Sequence, residues 1–116
     1  MSWGVYLLDE RGRVCDVGRH CEGSAYVPGG SDKAAMQVTY NYGPVIKQVL
    51  GTDFVSALDN KIAETVQCEL SNAPKALGTE RSESYWVPSD GNVGAMLGVM
   101  AEWARLHPRA AFRICP

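Results

Sequence analysis

The chain has 116 residues and a mass of 12.6 kDa, which is room for one domain spanning 1–116 and little more. Hydrophobic residues make up 46% and charged residues 21%, a composition too apolar for a disordered chain. Eleven basic against thirteen acidic residues give a net charge of −2 with no charged arm in either half, so nucleic acid is not an expected partner.

The stretch Met1–Glu10 is briefly apolar, carries no basic residue ahead of its apolar run and is acidic at its end, unlike a secretion signal. No apolar run approaches the roughly 18 residues that span a bilayer. A cytoplasmic protein with no membrane partner is therefore expected. In that compartment the four cysteines, at 15, 21, 68 and 115, read as reduced thiols. Cys15, His20 and Cys21 invite a zinc reading, but no second ligand knuckle accompanies them. Neither a metal nor another cofactor is expected.

In chain order, residues 3–8 and 13–17 read as two strands of a hairpin, with Gly12 in the turn free to take positive φ. Residues 18–34 are rich in glycine and polar side chains, with one short strand expected at 23–27. The segment 35–41 alternates Met36, Val38 and Tyr40 with Gln37, Thr39 and Asn41, the pattern of a half-buried strand. Pro44 then opens a short helix carrying Val45, Ile46, Val49 and Leu50, and Gly51 stops it. Phe54, Val55 and Leu58 predict a further helical turn. Ala63, Val66, Leu70, Ala73 and Leu77 predict a longer helix, with Asn60 as its cap and a break or kink near Ser71-Asn72 ahead of Pro74. Residues 78–84 are a polar loop. The clearest pattern is a last helix capped by Ser89, with Val93, Met96, Leu97, Met100, Trp103 and Ala104 as one stripe. Ala110 to Cys115 closes the chain as a strand. This order predicts an α+β fold: a small antiparallel sheet of four or five strands, covered on one face by about three helices.

The search for chemistry finds no phosphate-cradling glycine loop and no nucleophile elbow. His20 and Cys21, adjacent in extended chain, point apart, and Asp9 and Glu10 sit in a solvated turn. No catalytic residue is assigned. Arg105, Arg109 and Arg113 read as a solvated helix end and outward strand positions.

Two segments stand out. Thr39-Tyr40-Asn41-Tyr42-Gly43-Pro44 lies where a strand turns into a helix, and Tyr85-Trp86-Val87-Pro88-Ser89-Asp90-Gly91-Asn92 leads into the last helix. Each puts aromatic rings beside short polar groups. If the last helix covers the sheet, the two meet at one rim, where Tyr40, Asn41, Tyr42, Trp86 and Asn92 are the candidate ligand- or partner-binding residues. The competing structural reading makes Ser89 or Asp90 a cap, Asn41 a turn residue and the rings the end of the core. Separately, Gly94 and Gly98 form a smooth strip on the last helix for a close neighbour, within the chain or in a homodimer.

On these same two segments the chain resembles a family of small uncharacterised proteins from bacteriophages, prophages and their hosts. Its members carry Thr-Tyr-Asn-x-x-Pro before a short helix, and Tyr-Trp-x-x-x-x-Gly-Asn before a last helix and closing strand. Ile62 stands where such relatives have a capping Thr. The resemblance implies a mobile-element origin and no established activity. By analogy with phage proteins that block host machinery, it leads to the expectation of a non-enzymatic interaction protein. Its partner would be a host protein, and inhibition of a defence system, as by an anti-CRISPR protein, is the form this would take. The alternatives are a small-ligand or nucleotide binder using the aromatic rim, and a virion assembly component.

Overall fold

A computed structural model of the chain describes residues 1–17, 33–84 and 86–116. The expected strand at 23–27, together with His20, Cys21 and Tyr85, lies outside them. The fold is α+β, with three antiparallel strands and four α-helices among the described residues.

β1 (Ser2–Leu8) is the central strand, flanked by β2 (Ala35–Thr39) and β3 (Ala111–Cys115). The register pairs Val5 with both Met36 and Ile114, and Leu7 with Phe112. Side chains alternate between sheet faces, so these apolar residues fall on one side, and all five are buried. The hairpin turn forms as expected, with Gly12 at φ 75° and the Asp9 carboxylate accepting the backbone N–H groups of Arg11 and Arg13, each at 2.9 Å. The returning segment 13–17 does not become a strand. It makes only single bridges, Leu8 to Val14 and Asp16 to Lys33, because β1 already pairs on both edges with β2 and β3. Among the described residues the sheet therefore has three strands rather than four or five.

Pro44 and Gly51 bracket α1 (Gly43–Leu50) as their chemistry requires, with Gly51 at φ 83°. α2 (Phe54–Leu58) is capped by Asp53, whose carboxylate accepts the N–H of Ser56 at 2.9 Å. α3 (Ala63–Leu77) departs from expectation twice. Asn60 is not its cap: at φ 63° it donates its N–H to the Phe112 carbonyl and accepts from Arg113, tying the chain to β3. Ile62 stands at the cap position with no side-chain bond. The carbonyls of Ala110 and Pro108 instead accept the N–H groups of Ala63 and Glu64, at 2.8 and 2.9 Å. Nor does the helix break ahead of Pro74. It runs unbroken to Leu77, with Leu70 and Ala73 buried and Pro74 packed against α4, so tertiary packing overrides the lost hydrogen bond.

α4 (Asp90–Leu106) is capped by Ser89, which accepts the Asn92 N–H at 3.1 Å. Its stripe of Val93, Met96, Leu97, Met100, Trp103 and Ala104 is buried throughout and shares one core with the inner face of the sheet. The glycine strip does meet a close neighbour, and that neighbour is the chain itself. A Cβ on Gly91 would lie 1.8 Å from the Glu80 carbonyl oxygen, one on Gly94 2.0 Å from that of Gly78, and one on Gly98 3.1 Å from Pro74. A homodimer through Gly94 and Gly98 would have to displace this packing.

Candidate functional site: an asparagine-pinned aromatic rim

The two segments singled out in the sequence meet. β2 ends in Thr39, whose hydroxyl accepts the backbone N–H of Asn41 at 3.3 Å and turns the chain into a single 3-10 turn over Tyr40–Tyr42. That turn aims the Asn41 amide across the fold, where its Nδ2 donates to the Trp86 carbonyl at 3.1 Å. Tyr40 is half-buried, its ring edge-on to Trp3 at 4.7 Å, and Trp3 in turn meets Phe54 at 5.0 Å. Tyr42 is wholly buried in the core.

Asn92 is the other pin. It is 1% exposed in the first turn of α4, and its amide is fully occupied. Oδ1 accepts the Ser82 N–H at 3.0 Å, while Nδ2 faces Ser82 Oγ at 2.9 Å, the Ser84 carbonyl at 3.0 Å and the Val87 carbonyl at 2.8 Å. A buried amide satisfied this completely is a structural clamp. The Val87 N–H donates back to the Ser84 carbonyl at 3.2 Å, which ties these two loop residues together.

What the two asparagines hold is an exposed apolar tip. Trp86 is 50% exposed and Val87 44%, and Pro88 is exposed beside them. Of the five candidates, Trp86 and Asn41 therefore lie at the surface, Tyr40 half-buried beneath it, and Tyr42 and Asn92 inside. Tyr42 is one of the rings that the structural reading placed in the core, and Asn92, which that reading did not assign, is spent inside the fold. Sequence reasoning missed Trp3, Ser82 and Ser84. Trp3 could have been found from its place on the apolar side of β1, whereas the serines left no periodic signal.

Other chemistry-bearing groups are dispersed. A shallow groove of about 580 Å³ lies away from this rim, between the hairpin turn and the chain following α4, with Glu10, Arg11, Arg13, His107 and Arg109 around it. Its charges are of both signs, and Arg13 pairs with Asp9 at 3.4 Å. The three C-terminal arginines do not form one edge: Arg105 is tied to Glu102 and Arg113 to Asp59 and Asn60. Cys15 is buried, and burial first, then the charges of Asp9 and Asp16, push its thiol up, away from the reactive thiolate. Among the described residues no group of three potential metal ligands comes together, and no helix is long and apolar enough to cross a membrane. No protein-family model, curated protein or solved structure matches the chain.

Proposed function

We propose that this chain is a non-enzymatic interaction protein of phage or prophage origin. It acts in the host cytosol by binding and blocking a host protein, with a defence component the leading class of target and Trp86 the anchor of the contact. The single observation that carries the reading is the pairing of exposure with restraint at Trp86. The residue is half exposed to solvent, yet its own carbonyl is held by Asn41 and its loop by four hydrogen bonds to the Asn92 side chain. Aromatic anchors presented on a preformed backbone dominate protein interfaces, because little ordering entropy remains to be lost on binding. The resemblance of the Thr39–Pro44 and Tyr85–Asn92 segments to phage proteins supports the origin.

The test is an affinity pull-down from a host lysate, read by mass spectrometry, with Trp86→Ala alongside the native chain. One dominant partner captured by the native protein and lost from a folded Trp86→Ala variant is the expected result. Capture of the same partner by the variant would move the interface off this rim.

A further inference from the structure

We propose that the surface recognised by Trp86 is basic, with an arginine or lysine of the partner laid on the indole face and the carboxylates around it supplying the countercharge. This rests on reading Trp86 as the anchor and adds the chemistry of what it meets.

The charge distribution is the ground for it. Residues 80–90 contain Glu80, Glu83 and Asp90 against Arg81, a net of −2, which equals the net charge of the whole chain. The remaining residues are therefore neutral in sum, and the excess is concentrated on either side of Trp86. All three carboxylate residues are exposed. Four described acids elsewhere are paired, Asp9 with Arg13, Asp16 with Lys33, Asp59 with Arg113 and Glu102 with Arg105, while Glu10, Asp53, Glu64 and Glu69 stand singly along the chain rather than grouped. Among the described residues no ion pair engages Glu80, Glu83 or Asp90. Asp90 also suits the amino end of α4, where negative charge is favourable; Glu80 and Glu83 have no such role, since they lie ahead of the helix.

Three classes of partner surface can be weighed against this arrangement. A wholly apolar one would strip water from unpaired carboxylates with nothing in return. An acidic surface, or a phosphate backbone, would be repelled. A guanidinium or ammonium group satisfies both features at once, since it is attracted to the indole face and to the neighbouring carboxylates.

The test titrates the full-length, ¹⁵N-labelled chain with a blocked triarginine peptide, using blocked triglutamate as control, and follows the Trp86 indole and the amides of 82–91. Triarginine is expected to shift these signals. Its apparent affinity should weaken at least about threefold in Glu83→Gln/Asp90→Asn, and by a similar factor when ionic strength rises from about 0.01 M to 0.15 M. Both substitutions are at exposed positions, and an otherwise unchanged amide spectrum verifies the fold. Equal shifts with triglutamate, no shift at Trp86, or an affinity indifferent to the double substitution would each overturn the proposal. The pull-down separates the two levels. A partner lost from Trp86→Ala but held unchanged by Glu83→Gln/Asp90→Asn leaves the anchor standing and removes the basic partner surface. A partner retained by Trp86→Ala removes both.

Discussion

Asn92 and Asp53 are both polar residues at helix starts, and their environments give them opposite sensitivities. Asn92 is buried and serves four hydrogen bonds with one amide, so Asn92→Ala strands the Ser82 N–H and the Val87 carbonyl, while the Ser84 carbonyl keeps the Ser82 hydroxyl and the Val87 N–H. Leaving such groups unsatisfied should cost about 2–4 kcal/mol, measured as a lower urea midpoint, whereas Asn41→Ala, at an exposed bond, should cost under about 1 kcal/mol. Equal costs would contradict the clamp. The Asp53 carboxyl is held below the usual carboxylate range, mainly by the Ser56 N–H and then by its hydroxyl. A carboxyl with a depressed folded pKa contributes fully above its unfolded value of about 4 and loses that contribution as pH falls through the folded value. Asp53→Asn keeps a capping side chain but cannot titrate. Its urea midpoint should therefore fall less steeply on acidification below about pH 4 than that of the native chain; parallel profiles would show that the cap carboxylate is uncoupled from folding. Cys15, buried with a raised pKa, should resist iodoacetamide at neutral pH while exposed Cys68 reacts, as peptide mapping would reveal.

Helix α4 was legible in the sequence almost to the residue, because the Ser89 cap and a long apolar stripe point the same way, and Pro108 stands two residues beyond its last residue, Leu106. Its glycines were legible as a place of close approach, but the neighbour was not, since no local pattern says that the chain leaving α3 returns along the same helix. Gly94→Ala tests that packing. Alanine is ordinarily the better helix former, yet here its Cβ would meet the Gly78 carbonyl at 2.0 Å, backbone that cannot step aside cheaply. We expect a loss of about 1–3 kcal/mol by chemical denaturation. Gly98→Ala, facing the ring of Pro74 at 3.1 Å, should cost less. A stabilised Gly94→Ala would mean that the α3–α4 contact is looser than described. The span of α3 was legible from Ala63 to Leu77, but its cap and its continuity through Pro74 were misread for a common reason. Local chemistry nominated Asn60 as cap and Pro74 as breaker, while the carbonyls of Ala110 and Pro108 and the face of α4 decided the outcome.

At the scale of the molecule, three antiparallel strands among the described residues turn one apolar face to α4, and β3, which pairs with the edge of β1, follows all four helices in the chain. That class of fold was readable from the order of periods along the chain. The strand count was not, because pairing along β1 is decided by residues more than a hundred positions apart, such as Val5 and Ile114. The same long-range closure brings Asn41 to Trp86, forty-five positions away, and so builds the rim from two segments whose composition had marked them out separately. The proposed anchor and the proposed basic partner surface both depend on one physical claim, that the Trp86 loop is held rigid while its side chain stays open to water. Backbone ¹⁵N relaxation of the free protein tests this most directly. Order parameters near 0.85 across 82–87, falling in Asn92→Ala, are the predicted result, while values below about 0.6 in the native chain would contradict the account.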